Sequence, residues 1–319
     1  MSTEASRGNP ENQTSIEEFI LLGFSDHPEL QVLFFLVFLV LYTVTLMGNL
    51  LILLLVTASR PLHTPMYFLL GNLSFVDVCY VSATIPQMLA NFLRDAKTIS
   101  YAGCMAQIFA LVSCVGSECI LLAAMAYDRY VAICHPLLYT VMMNRKVCLQ
   151  MVAGSWAGGF LNSLLHTLLA STLSFCGPKE IRHFMCDVPP LLELSCSDTA
   201  LNNAVLHTAS IFIGISPCVF IVVSYVFITL AILRIRSAEG RHKAFSTCTS
   251  HLTVVITFFG TALFNYNRPN AGYSLQVDTL VSTLYCIVTP MLNPIIYSLR
   301  NQDVKAAIRN LAGRKRSVF

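Results

Sequence analysis

Between Leu30 and Val56 the chain carries no charged side chain at all. A bilayer core about 30 Å thick is crossed by roughly 20 apolar residues of helix, so this run is long enough to span one. Hydrocarbon offers backbone groups no water, which leaves a helix as the conformation for a lone apolar run. Six further runs follow at 67–89, 103–127, 148–169, 204–233, 245–264 and 277–299. The sixth is the most polar, because Ser246, Thr247, Thr249, Ser250 and His251 crowd its first half. Composition agrees with a membrane protein. Of 319 residues, 55% are hydrophobic and 12% charged, and the mean hydropathy is +0.65. A soluble domain carries about 25% charged residues. The net charge is +3, with no basic run before Arg314-Lys315-Arg316, which argues against nucleic acid as a partner. The expected fold is all-α, a seven-helix transmembrane bundle over residues 29–299.

Basic residues collect on the cytoplasmic side of membrane proteins. With the N-terminus outside, 14 of the 20 Lys and Arg residues fall on cytoplasmic segments. The opposite orientation inverts that ratio, so the N-terminus is expected outside and the C-terminus inside. Residues 1–28 are then an extracellular tail, and 300–319 a cytoplasmic tail with a short amphipathic helix after span seven. The first tail has no basic-then-apolar leader, so span one directs insertion itself. It carries a glycosylation sequon at Asn12-Gln13-Thr14. A second sequon at Asn72 lies inside span two and is inaccessible.

Most of the twelve cysteines are scattered singly through the spans as small buried hydrophobes. Four are different. Cys104 begins span three, and Cys176, Cys186 and Cys196 lie in the long loop after span four. The outer compartment is oxidising, so disulfides are expected there; four cysteines allow three connectivities. A metal reading also exists, because His183 precedes Cys186 by three residues.

Ionisable groups inside spans are few: Asp77, Glu118, His166, His207 and His251, with Asp128-Arg129 at a cytoplasmic end. Such groups are expensive in hydrocarbon and mark function by default. Asp77 and Glu118 lie near mid-depth on spans two and three. Two buried carboxylates need a shared proton or a cation. A sodium ion is one reading; a protonated acid bonded to Asn49 or Asn293 is the other. Asp128-Arg129-Tyr130 taken alone is an interfacial charge pair, worth little if exposed. Pro86, Pro217, Pro290 and Pro294 fall inside spans and permit kinks. Asn293-Pro294 with Tyr297 puts an amide, a kink and a phenol within about one turn, which suits a two-state element.

From about residue 20 to 305 these residues resemble the rhodopsin-type G-protein-coupled receptors. The resemblance rests on Gly48-Asn49, Asp77, Asp128-Arg129-Tyr130, Trp156, Pro217 with Tyr225, and Asn293-Pro294-Ile295-Ile296-Tyr297. More specific strings resemble the olfactory receptors, of the larger, terrestrial-type class. They are Pro-Met-Tyr-Phe-Leu at 65–69, Met-Ala-Tyr-Asp-Arg-Tyr-Val-Ala-Ile-Cys at 125–134 followed by His135-Pro136-Leu137, Lys-Ala-Phe-Ser-Thr-Cys at 243–248, and Pro-Met-Leu-Asn-Pro at 290–294. The resemblance implies Cys104 paired with Cys186 and Cys176 with Cys196, the alternative being Cys104 with Cys196. It implies that Arg129, Tyr130 and the stretch from Arg234 to Lys243 face a G protein, with Asp128 beside them. Asn49, Asp77, Glu118 and Asn293 would form an inner polar network, and Tyr225 and Tyr297 would move toward Arg129 on activation. One departure stands out: Phe258-Phe259-Gly260 replaces the family's usual Phe-Tyr-Gly, which removes a hydroxyl.

The ligand cleft of such a bundle opens outward between spans three, five, six and seven, and helical spacing selects one face of each. Span three offers Leu111, Val112, Val115 and Gly116; span five Leu206, Ala209, Ser210 and Ile213. Span six offers Phe259, Ala262, Leu263 and Tyr266, and span seven Thr279 and Thr283. No charge occurs in this set. An amine would require a carboxylate and an acid would require a basic residue. The expected ligand is therefore a small, neutral, mostly apolar volatile molecule, with Ser210, Tyr266 and Thr283 as donors. The expected output is cyclic AMP through a stimulatory olfactory-type G protein, from the plasma membrane of sensory cilia, without covalent chemistry. A trafficking chaperone and membrane lipid are further candidate partners. Rival readings fare worse: residues 275–299 hold no Schiff-base lysine, no His-Glu-x-x-His or Gly-x-Ser-x-Gly string occurs, and no transporter-like repeat is visible.

Overall fold

A computed structural model describes residues 17–24, 28–266, 281–300 and 302–316. Span one is the helix Gln31–Ala58, span two Pro65–Phe92, span three Tyr101–Cys134 and span four Arg145–Ser171. Span five consists of Ala200–Ala209 and Ser216–Leu233, joined by a π-helical segment at Ser210–Ile215. Span six is Ala238–Tyr266. In span seven a π-helical segment at Leu284–Val288 leads into the helix Thr289–Arg300. The amphipathic helix Gln302–Arg316 follows, burying Val304 and Ala307. The Tyr67 hydroxyl donates to its Asp303 at 3.1 Å, tying this helix to the start of span two.

By length and composition alone, five of these helices can cross a membrane: spans one, two, three and five, and Cys248–Asn265 of span six. Their outer faces are apolar. On span one Val32, Leu33, Val40 and Met47 are exposed while Thr45 and Asn49 are buried, the reverse of a soluble helix. Span four does not pass on composition; its place comes from packing. Gly116 and Gly159 bring spans three and four to close backbone approach. A side-chain carbon on Gly116 would lie 3.1 Å from the Gly159 Cα, and one on Gly159 would meet Ser117 Oγ and the Ser113 carbonyl. Small residues at such a crossing are how helices associate where lipid removes the hydrophobic drive.

Two prolines mark the irregular turns. Pro217 and Pro290 each stand at the second position of the helix that follows a π-helical segment. Proline lacks the N–H that would close the preceding turn, and a widened turn absorbs the mismatch. Asn49 Nδ2 donates to the Pro290 carbonyl at 3.1 Å, joining spans one and seven. Gly48 lets Pro294 pack alongside, for a side-chain carbon there would sit 2.9 Å from Pro294 Cγ.

The structure departs from the sequence expectations in four places. Span three runs on to Cys134, so Asp128-Arg129-Tyr130 lies within its last turns. Asp128 and Arg129 are 2% and 6% exposed, so they are not the exposed interfacial pair that would be worth little. Span six begins at Ala238 rather than 245, because its polar residues continue the helix. Finally, the bundle carries a small sheet. Glu18–Leu21 (β1) pairs antiparallel with Thr98–Ser100 (β2) and parallel with Glu180–Ile181 (β3). Phe19 and Leu21 on β1 are buried, so part of the expected free tail packs as a lid element over the loops.

The three-to-four crossing is testable. Gly159→Val is expected to cut surface expression several-fold, since overpacking a close crossing costs about 1–3 kcal/mol. Gly154→Ala, where an added carbon meets nothing within 4 Å, should leave it unchanged. Flow cytometry of tagged receptor reads both, and equal expression of the two variants would refute the packing argument.

Candidate functional site

The cavity is built from its rim. The Cys104–Cys186 disulfide fastens the long loop to the first turn of span three, and Cys176–Cys196 closes the loop on itself. Cys186 being half of a disulfide removes the metal reading with His183, whose ring stacks on Phe184 instead. Gln107 secures the same point: its Oε1 accepts from the Cys186 N–H at 2.8 Å and its Nε2 donates to the Ala83 carbonyl at 2.9 Å. Asp187 then caps the short helix Val188–Glu193, accepting from the Val188 N–H at 2.7 Å. Its other oxygen accepts from Asn265 Nδ2 of span six at 3.4 Å, and Ser282 of span seven donates to Asn265 Oδ1 at 3.1 Å. Val188 is thereby fixed at the cavity roof.

Beneath it lies about 590 Å³ of space, mouth included. Ten expected residues line it: Val112, Val115, Gly116, Leu206, Ala209, Ser210, Ile213, Phe259, Ala262 and Leu263. Leu111 does not; it is 1% exposed within the central apolar core. Thr283, half-buried on span seven, is not among the lining residues either. The Tyr266 side chain and Thr279 lie outside the described residues, as do Asn12 and the Lys243 side chain. Sequence reasoning missed Cys119, Asn162, His166, Val188 and Gly214. Span four lies outside the cleft that helical spacing selects, although His166 is an ionisable residue within it. Gly214 lies four residues after Ser210, on the face that spacing already selects.

Deeper in the bundle, Asp77 is fully buried and its Oδ2 accepts from Asn293 Nδ2 at 2.9 Å. Glu118 is buried and interacts electrostatically with Asp77, while buried Asn49 bonds the Thr45 and Pro290 carbonyls. Asp77 Oδ1, Glu118 Oε1 and Asn293 Oδ1 are buried with no hydrogen-bond partner among the described residues. An oxygen set containing two carboxylates fits a hard cation.

The inner end holds the residues expected to couple. Tyr139, from the helical turn Tyr139–Met142, donates to Asp128 Oδ1 at 2.8 Å. Burial first, and then the Asp128 carboxylate, push the Tyr139 phenol up, so it remains a donor across the physiological range. Sequence reasoning missed this tyrosine, because no motif links it to Asp128 eleven residues earlier. Tyr225 OH lies 2.8 Å from His251 Nδ1, linking spans five and six. Arg129 interacts electrostatically with Tyr225, Tyr297 and His251, while its Nε and the Tyr297 hydroxyl have no hydrogen-bond partner among the described residues. Tyr130 OH lies 3.2 Å from His135 Nε2. Pro294 sits inside its helix one turn before Tyr297.

A helical bundle with lipid-facing apolar surfaces, a roofed outer cavity and a buried polar inner end is the architecture of a membrane receptor. The comparisons narrow the class. A family model described as olfactory receptor matches residues 38–315. Olfactory receptor 5AP2 of Mus musculus is 53% identical over 300 residues, covering 94% of this chain and 95% of its own length. Olfactory receptor 5AR1 of Homo sapiens is 50% identical over 305 residues, 96% of this chain and 98% of its own. Olfactory receptor 5F1 of Homo sapiens is 50% identical over 309 residues, with coverages of 96% and 98%. The chain belongs to the olfactory receptor family, and is thus an odorant-sensing, multi-pass, non-enzymatic G-protein-coupled receptor.

Tyr139→Phe leaves the buried Asp128 oxygen short of a donor at a cost of about 1–3 kcal/mol. The thermal denaturation midpoint of the detergent-solubilised receptor is expected to fall by a few degrees. An unchanged midpoint would show that the bond contributes nothing.

Proposed function

We propose that this receptor binds a small, neutral, mostly apolar volatile ligand in the outer cavity and activates a stimulatory olfactory-type G protein, raising cyclic AMP. The observation that carries the ligand class is the lining itself, which among the described residues holds no carboxylate, lysine or arginine. Burial against Val112, Ile213, Phe259 and Leu263 then supplies most of the affinity, at roughly 25 cal/mol per Å². A ligand shifts a receptor only by its differential affinity for two arrangements. Here the differential falls on span six, through Phe259, Ala262 and Leu263. Outward movement of the inner end of span six would part Tyr225 from His251 and free both Tyr225 and Tyr297 to approach Arg129. Asp128, Arg129, Tyr130 and Lys243 would then meet the G protein. Residues 1–28, glycosylated at Asn12, would face outward and 300–319 the cytoplasm. Surface delivery, to sensory cilia, would draw on a trafficking chaperone.

Sodium is assigned to the inner oxygen set around Asp77 and Glu118, where it would neutralise one carboxylate and favour the resting arrangement. Cyclic AMP in cells expressing the receptor with an olfactory G protein, against a broad odorant panel, tests the main reading. A dose-dependent rise that is lost in Arg129→Ala at equal surface level is expected; a full response in that variant would sink the coupling assignment. Replacing sodium with choline should move the agonist curve several-fold to lower concentration in the native receptor and leave Asp77→Asn unmoved. Equal shifts in both would remove sodium from this site.

A further inference from the structure

The polar groups of span four divide into two kinds. Ser155 and Ser163 are satisfied by carbonyls, Ser155 by Met151 on its own helix at 2.8 Å and Ser163 by Phe109 of span three at 2.5 Å. Asn162 and His166 are not. Both line the cavity, and no hydrogen bond reaches either side chain from the described residues. His166 is 4% exposed, so water outside the bundle does not satisfy it. The two are spaced i, i+4 on one helix, which places them side by side on the same face. A polar side chain withdrawn from water without a partner is costly, and buried His166 beside half-buried Asn162 on one cavity wall marks where a ligand's polar group belongs.

We infer that Asn162 and His166 form the polar pole of the cavity and seat a hydroxyl group, so that the ligands are small neutral alcohols and phenols. This deepens the reading of the cavity as the odorant site and rests on it. A neutral imidazole presents one donor and one acceptor, and the asparagine amide presents two donors and one acceptor. A hydroxyl matches that pair because it gives and takes at once: its O–H donates to the free imidazole nitrogen while its oxygen accepts from Asn162 Nδ2. A ketone or ether only accepts and leaves the imidazole lone pair unmet. A carboxylate or an ammonium finds no opposite charge among the described lining residues. The hydrocarbon body lies across the cavity against Ile213, Phe259 and Leu263.

The test uses the full-length receptor in cells with an olfactory-type G protein. Cyclic AMP is recorded against aliphatic, alicyclic and aromatic alcohols, each paired with its methyl ether and parent hydrocarbon. Alcohols are expected to act at concentrations about tenfold below their ethers, the worth of one good hydrogen bond. The preference should fall toward unity in His166→Phe and in Asn162→Leu at matched surface level, and His166→Gln, which keeps both a donor and an acceptor, should retain most of it. Ethers or hydrocarbons as potent as the alcohols, or a preference that survives both variants, would overturn the assignment while leaving odorant sensing intact. Silence toward this panel beside a response to other odorant classes would overturn this inference alone, and silence toward every class at verified surface level would overturn the cavity as odorant site and this inference together.

Discussion

Inside a bilayer no water is available to a hydrogen-bonding group, and each one must find a partner in the protein. The chain meets this demand in two ways. Hydroxyls on span surfaces turn back onto their own helix: Thr43 to the Leu39 carbonyl, Ser224 to Phe220 and Thr253 to Thr249, each at 2.8 Å. Amides reach across to neighbours instead, Asn49 to the Pro290 carbonyl and Asn293 to Asp77. The first kind lets a polar residue face any direction. The second dictates which face turns inward, and so sets the rotation of spans one, two and seven about their axes. Where partners run short, at Asp77 and Glu118, the two carboxylates with unmet oxygens interact with one another. A single isolated deficit would only destabilise; a cluster holds a charge or exchanges one set of partners for another.

The outer end obeys a different constraint. Loops there are wet, and the problem is entropy rather than desolvation. The Cys104–Cys186 link closes a separation of 82 residues and Cys176–Cys196 one of 20, so the loop has little freedom left to lose. A second apolar core then forms around it, with Phe19 of β1, Ile181 of β3, and Met105 and Ile108 of span three. The consequence for binding is a roof that is ordered in advance. Val188 is held by a disulfide two residues earlier and by the Asp187 cap one residue earlier, and a ligand does not have to order it.

Much of this was legible in the sequence, and the reasons differ by element. Spans one, three and five declare themselves, because lipid selects apolar residues on every outward side. Span four is legible as a run at 148–169, but what seats it, Gly116 and Gly159 meeting across a crossing, belongs to two distant segments and is not. Most of the cavity lining follows from helical spacing, and Gly214, four residues after Ser210, extends the same face. Leu111 fell on the wrong side for a related reason. It neighbours Val112 in sequence, but one residue rotates a helix by about 100°, enough to move a side chain from cavity to core. Asp128 and Arg129 read as an interfacial charge pair, and sequence does not show whether such a pair is exposed. Tyr139, brought over by the turn after His135, is what makes a buried aspartate tolerable.

In the proposed mechanism the two ends of the receptor communicate through a rigid part that they share. Phe259 borders the cavity and His251 meets Tyr225, and the two lie eight residues apart on one uninterrupted helix, about 12 Å at 1.5 Å per residue. A side-chain carbon added at Gly260 would meet no neighbouring atom within 4 Å, and no proline interrupts the helix between these points. A helix of this kind transmits tilt rather than bend, so a displacement at Phe259 would be felt at the Tyr225 contact. The holding element is modest: one hydrogen bond of the kind worth about 1 kcal/mol and one stacked ring pair at 5.7 Å. That scale suits a sensor of small molecules. A ligand burying little surface can supply only a few kcal/mol of differential affinity, and a lock of comparable strength is one it can open.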